Sequence, residues 1–172
     1  MYHTINPEPN IQKAEIEKPF PWGPFFFIIV CCFVFSHVKI AVNHTTSLPQ
    51  KYWLILLGKT PKRGDYICFR PSSKMLLEEN LPPVITLTKQ VVGMPGDNIT
   101  LRLRDFYING EYIATAKTHS LTGEPLNVGP TGILPEKHYF VFSPHPSSFD
   151  SRYEKMGWVE RSQIIGVAYA LW

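Results

Sequence analysis

One lysine, Lys89, interrupts the apolar segment Val84 to Val92 just before the rigid turn Met94-Pro95-Gly96-Asp97. In water a lysine ammonium has a pKa of about 10.4 and is no base at neutral pH, but burial disfavours the charged form and lowers that value by several units. A neutral amine of this kind takes the proton of a hydroxyl nucleophile and later returns it to a leaving amine. The serine that fits is Ser47, in Asn43-His44-Thr45-Thr46-Ser47-Leu48-Pro49, where the proline stiffens the backbone at Leu48. Alone, a serine before such a proline is ordinarily a turn residue. Ser47, Lys89 and the run Pro146-Ser147-Ser148-Phe149-Asp150-Ser151-Arg152-Tyr153, in that order, point instead to serine–lysine chemistry.

Other chemistries fare worse. His44 stands three residues from Ser47, so on an extended segment the two side chains point to opposite faces, and no orienting acid accompanies the histidine. The six histidines are scattered without the paired spacing of a zinc site. Cys31 and Cys32 lie in an apolar run and Cys68 has no partner near it, so no disulfide framework, metal or cofactor is expected. Seventeen basic residues against fourteen acidic ones, evenly spread, lack the basic stripe of a nucleic-acid binder.

The elements that must position these residues are mostly β. Sixteen prolines and eleven glycines among 172 residues favour short strands and tight turns over long helices. Strands are expected at Tyr52–Leu57, Tyr66–Phe69, Val84–Val92, Ile99–Leu103, Tyr139–Phe142 and Ile164–Trp172. Asn109-Gly110, between Phe106–Ile108 and Glu111–Ile113, is a strong hairpin signal. Residues 71 to 83 read as loop, and 115 to 135 as turn-rich chain.

The chain divides into three parts. Residues 1–19 are polar, without periodicity, and read as a flexible tail. Residues 20–42 contain eleven consecutive apolar residues, Phe25 to Phe35, and reach spanning length only when extended past Ser36, His37 and Lys39 to Val42. Lys39 would then have to snorkel to the interface. The reading is an uncleaved transmembrane anchor, against a buried core helix or a cleavable signal peptide, the last opposed by the lack of a small-residue cleavage site before Asn43. Lysines and arginines are more numerous after the segment than before it, which opposes an inside amino terminus, although long domains translocate largely regardless of charge. Residues 43–172 form one catalytic domain.

These motifs resemble the type I signal peptidase family, membrane-anchored serine peptidases with a serine–lysine dyad. Ser47-Leu48-Pro49 resembles its nucleophile box, Arg63-Gly64-Asp65 its Arg-Gly-Asp box, and Lys89 to Asp97 its lysine box. Tyr107-Ile108-Asn109-Gly110 is similar to the hairpin that follows, and Ser148-Phe149-Asp150-Ser151-Arg152 with Gly157 to its last box, with extra residues between Arg152 and Gly157. The Gly-Asp-Asn-Arg of housekeeping members is here Ser143-Pro144-His145-Pro146. The small size, the Asn43-x-Thr45-x-Ser47-x-Pro49 surround and Ser148-Phe149-Asp150-Ser151-Arg152 together look more like the conjugative-transfer, TraF-type branch, which matures a pilin subunit.

The resemblance implies an antiparallel β catalytic domain of signal-peptidase type behind one N-terminal transmembrane helix. It implies Ser47 as nucleophile, Lys89 as base, Ser148 as the residue that orients the lysine, and the Thr45 hydroxyl beside the Ser47 N–H as oxyanion donor. Asp150 and Arg152 are either a structural brace or a functional acid and its partner, the brace being preferred. It further implies a bacterial inner-membrane protein with a periplasmic catalytic domain in contact with membrane lipid. Its substrate would be a pilin or another exported preprotein, and the acyl-enzyme would be resolved by water or, giving a cyclic product, by an amine. An inactive envelope scaffold of the transfer apparatus is the alternative from outside enzymology, and the intact Ser47, Lys89 and Ser148 set argues against it.

Overall fold

The computed structural model describes residues 21–42, 48–146 and 148–171. The expected tail and Ser47, Thr45 and His44 therefore lie outside the described residues. The apolar segment expected over 20–42 divides in two, as helix α1 (Trp22–His37) followed at once by strand β1 (Val38–Val42). Sixteen residues rise about 24 Å, short of a hydrocarbon core of about 30 Å. Among the described residues no helix is long and apolar enough to cross a membrane.

The helix ends where it does for local reasons. The Ser36 hydroxyl donates to the Phe33 carbonyl at 2.7 Å, and His37 Nδ1 lies 2.9 Å from the same oxygen. Beyond them Val38, Ile40 and Val42 are β-branched. They prolong the chain as a strand that pairs antiparallel with β2 (Tyr52–Leu57), Lys39 opposite Ile55. Lys39 thus belongs to a sheet and not to the helix.

The remaining elements are β3 (Tyr66–Phe69), α2 (Ser73–Glu78), β4 (Leu87–Gly93), β5 (Asn98–Arg102), β6 (Asp105–Ile108), β7 (Glu111–Thr115), β8 (Gly132–Ile133), β9 (His138–Phe142), β10 (Val159–Glu160), a 3₁₀ turn and β11 (Ile164–Ala170). Seven strands form one sheet in the order β1-β2-β11-β3-β4-β9-β10, and four form a second, β7-β6-β5-β8. Every strand pairing is antiparallel, as expected of the fold class. The Asn109-Gly110 turn has positive φ at both residues, 52° and 87°, which is the geometry of a two-residue type I′ hairpin.

Two expectations need correction. The loop expected over 71–83 contains α2, started by the Ser72 hydroxyl, which accepts the Met75 N–H at 3.2 Å, and held down by the buried Met75. A single-turn helix leaves too little periodicity to read from sequence. The strand expected from Val84 starts only at Leu87, because Pro82 and Pro83 lack ladder donors and the Ile85 N–H turns back to the Pro82 carbonyl.

β4 decides where Lys89 points. Lys89, Val91 and Gly93 alternate on its buried face. Val91 joins a core cluster with Ile67, Phe69 and Val141, all inaccessible to solvent. At Gly93 a Cβ would sit 2.7 Å from the Phe140 Cβ, so only glycine lets β4 approach β9 there. Phe140 in turn packs at a tilt against Phe106 of the second sheet, ring centres 5.7 Å apart, which joins the two sheets.

Candidate active site

Lys89 faces Ile67 across the β3–β4 ladder and is only 3% exposed. Its Nζ donates to the Ser148 Oγ at 2.8 Å. Burial pushes its pKa down, Asp150 pulls it back up and Arg152 pushes it down further, with a net fall from 10.5 to about 8. At that value about a tenth of the side chain is the free amine at pH 7. The burial expected from the apolar pattern is present, and the lowered pKa still leaves most of the lysine protonated at pH 7.

Ser148 is held from two sides. Its N–H donates to the His145 carbonyl at 2.9 Å, and its own carbonyl accepts Arg152 Nη2 at 3.4 Å. Arg152 grips Asp150 through Nε and Nη2, at 2.8 and 3.0 Å, and donates Nη1 to the Thr115 carbonyl at 2.9 Å. Asp150, fully buried, also accepts the Ser143 N–H at 3.2 Å. The Arg152 guanidinium lies over the rings of Phe142 and Tyr153. Burial disfavours its charge, but the Asp150 bonds outweigh that and raise its pKa. A bidentate pair with these further bonds positions Ser148 and leaves Asp150 facing Arg152, which is the geometry of a brace.

The residues between Arg152 and Gly157 fold into a turn, Gly157 at φ 61° donating its N–H to the Tyr153 carbonyl at 3.0 Å. The Ser151 hydroxyl accepts the Val141 N–H of β9 at 3.0 Å, a contact without a separate signal in the sequence.

A second network fixes the end of β4. Asp97 accepts the Met94 N–H at 2.6 Å, Asn109 Nδ2 at 2.8 Å and Arg63 Nη2 at 2.6 Å. Arg63 also donates to the Val92 carbonyl. Burial alone would raise the Asp97 pKa, but the Met94, Asn109 and Arg63 contacts hold it below the usual carboxylate value. The Arg63, Asp97 and Asn109 motifs, separate in sequence, thus act together to lock the turn that follows the lysine strand.

Beside Lys89 opens a cleft of about 940 Å³, walled by β1 and by Pro82 to Leu87, with Ile55, Cys68 and Ile165 among the residues beneath. Cys68 lies there: burial raises the pKa of its thiol against hydrogen bonds with Thr86 and Thr88 and the nearby Lys39 ammonium. Leu48, next to Ser47 in sequence, is buried against Trp53, Ile55, Cys68 and Ala168. The cleft walls were not legible in the sequence, because they gather from five separate segments.

The sequence pattern of the family described as "Signal peptidase, peptidase S26" matches residues 22–172. The chain belongs to this signal peptidase family. It is similar to Signal peptidase I of Pseudomonas aeruginosa, 28% identical over 185 aligned positions that cover 85% of this chain and 58% of that protein. It is also similar to Signal peptidase I of Bacillus caldolyticus, 25% identical over 94% of this chain and 93% of that one. The chain therefore spans little more than half of the Pseudomonas relative and nearly the whole length of the Bacillus one. A crystal structure of a signal peptidase I from Enterococcus faecalis matches 63% of this chain and 97% of its own, at 25% identity and a TM-score of 0.41.

Proposed function

We propose that this signal peptidase family member is a membrane-anchored serine endopeptidase, with Ser47 as nucleophile and Lys89 as base, and that it matures a pilin precursor for conjugative transfer. The observation that carries the activity is the buried Lys89 amine, its pKa lowered to about 8 and its Nζ fixed on Ser148. Such an arrangement costs stability and has a use only beside a group that must lose a proton.

The steps follow from the residues. Neutral Lys89 removes the Ser47 hydroxyl proton as the oxygen attacks the scissile carbonyl. The oxyanion is stabilised by the Ser47 N–H and the Thr45 hydroxyl, each such donor being worth about a hundredfold or more in rate. The Lys89 ammonium then protonates the leaving amine, and the ester on Ser47 is released by water or by an amine. α1, none of whose residues is buried in the protein, supports attachment to membrane lipid, and the bacterial inner membrane and periplasmic cleft are what the resemblance implies. β1 follows α1 directly and forms one wall of the cleft, so the substrate is cut beside the bilayer.

A second reading, a general signal peptidase acting on many exported proteins, is favoured by the names of the similar proteins. The replacement of the family's Gly-Asp-Asn-Arg by Ser143-Pro144-His145-Pro146 favours the specialised one. Deleting the gene in a host that keeps its own signal peptidase separates them. Lost pilus assembly with normal secretion is expected, and a general secretion defect would favour the second reading. Turnover of a precursor peptide by wild type, but not by Ser47→Ala or Lys89→Ala, tests the dyad. A product one water lighter than the linear peptide marks release by an amine.

A further inference from the structure

The cleft beside Lys89 has a one-sided charge. Among the described residues its lining includes Lys39, Arg70 and Lys89 and no aspartate or glutamate. Lys39 and Arg70 are both exposed, and among the described residues neither side chain is in an ion pair. The acidic groups nearby are committed elsewhere, Asp150 to Arg152 and Glu79 to Lys155.

The ladder brings Lys39 over the cleft floor. Lys39 pairs with Ile55, Ile55 with Ala168 and Ala168 with Tyr66, so these residues share one face of the sheet with Cys68 and its partner Thr88, while Lys89, opposite Ile67, leaves β4 on the other face and lines the same cleft from there. The Lys39 charge reaches the Cys68 thiol, which lies over this floor. Arg70 follows β3 two residues beyond Cys68, its backbone fixed by the Arg70 N–H to the Gln163 carbonyl at 3.0 Å. Most other lining residues are apolar, or threonines whose hydroxyls suit a polar backbone.

An uncharged or basic peptide gains nothing from two unpaired cations and desolvates them without return. An extended peptide with a carboxylate side chain gains a partner at Lys39 or Arg70 while its apolar residues cover the floor. We infer that the cleft selects peptides carrying an acidic side chain within a few residues of the scissile bond, with Lys39 the principal receptor and Arg70 the second. This rests on the peptidase reading above. It gives the enzyme a substrate class narrower than that of a cleft without charge.

The test uses the full chain in detergent micelles and three quenched peptide sets on one alanine-containing frame, with Glu, Gln or Lys scanned over the positions flanking the scissile bond. Glu at one or two positions should raise kcat/KM about two- to fivefold over Gln, the size of an exposed ion pair. Lys39→Gln should remove most of that preference and Arg70→Gln a lesser part. Lys39→Glu should turn it toward Lys. The same peptides bound to Ser47→Ala, followed by fluorescence anisotropy, report the preference without turnover. If wild type cuts no peptide but Ser47→Ala binds the Glu set most tightly, the peptidase reading fails and the acidic preference stands. Equal binding of the three sets, or a preference unchanged in Lys39→Gln, overturns the inference. So does loss in Lys39→Gln only of adsorption to phosphatidylglycerol vesicles, since the charge would then serve the lipid.

Discussion

Lys89 Nζ and Ser148 Oγ, 59 residues apart in sequence, meet at 2.8 Å with each residue about 3% exposed. The bond fixes the last rotatable atom of a side chain that otherwise has four free torsions. Ser148→Ala should therefore lower kcat by about a hundredfold, the scale of loss when a reacting group is misplaced by about an ångström. KM should change little, because the hydroxyl faces Lys89. Single-turnover kinetics with a precursor peptide measures this, and a kcat within twofold of wild type would remove the orienting role. The expected stability loss is about 1–3 kcal/mol, for one buried polar atom left unpaired.

The pH dependence follows from the same residue. With the Lys89 pKa at about 8, kcat/KM should rise with pH as the ammonium is lost and level off above that value. A profile whose ascending limb is centred near the ordinary lysine value of 10.5 would exclude a buried neutral base. Arg152 pushes the Lys89 proton off and Asp150 holds it on. Asp150→Asn should therefore move the limb to lower pH in whatever fraction of the protein stays folded.

How far the sequence can be read depends on whether a signal is local. The strands Tyr52–Leu57 and Tyr66–Phe69 and the Asn109-Gly110 hairpin are local patterns, and they stand where expected. Lys89 was legible because a lone charge on an apolar strand is anomalous wherever the strand packs. The end of α1 was not, since Ser36 and His37 stop the helix by bonding one carbonyl while the hydropathy continues into Val38, Ile40 and Val42. The Arg63–Asp97 contact joins residues 34 apart, and the cleft wall uses segments from β1 to β11. Such placements depend on sheet order, which no single segment encodes.

The Asp150–Arg152 pair separates a brace from an acid. Both residues are buried and share two hydrogen bonds. Removing one partner of a buried pair strands the other charge, at a cost of about 3–5 kcal/mol. Arg152→Leu should lower stability by that amount and carry Ser148 and the activity down with it. Asp150→Asn, which keeps shape and some hydrogen bonding, should lose less. Thermal unfolding of the full chain in micelles is the measurement. An Asp150→Asn protein with wild-type stability and no activity would instead identify Asp150 as the acid.

Lys89 should also be a residue at which activity is kept at the expense of stability. Lowering its pKa from 10.5 to about 8 corresponds to a penalty of about 3 kcal/mol for keeping the ammonium buried. Below pH 8 the lysine is protonated in both folded and unfolded chains, so the whole penalty is present. Between pH 8 and 10.5 the unfolded chain still binds the proton and the folded chain does not, so wild-type stability rises with pH. Lys89→Met has similar length and no charge, and it forgoes the Ser148 bond, leaving that buried hydroxyl unpaired at a cost of about 1–3 kcal/mol. It should be inactive, more stable than wild type by up to about 2 kcal/mol at pH 7, and lose ground to wild type progressively between pH 8 and 10.5. Parallel thermal melts of the two proteins across that range decide the point. A stability difference between the two proteins that stays constant from pH 7 to 10.5 would mean that the lysine carries no burial penalty.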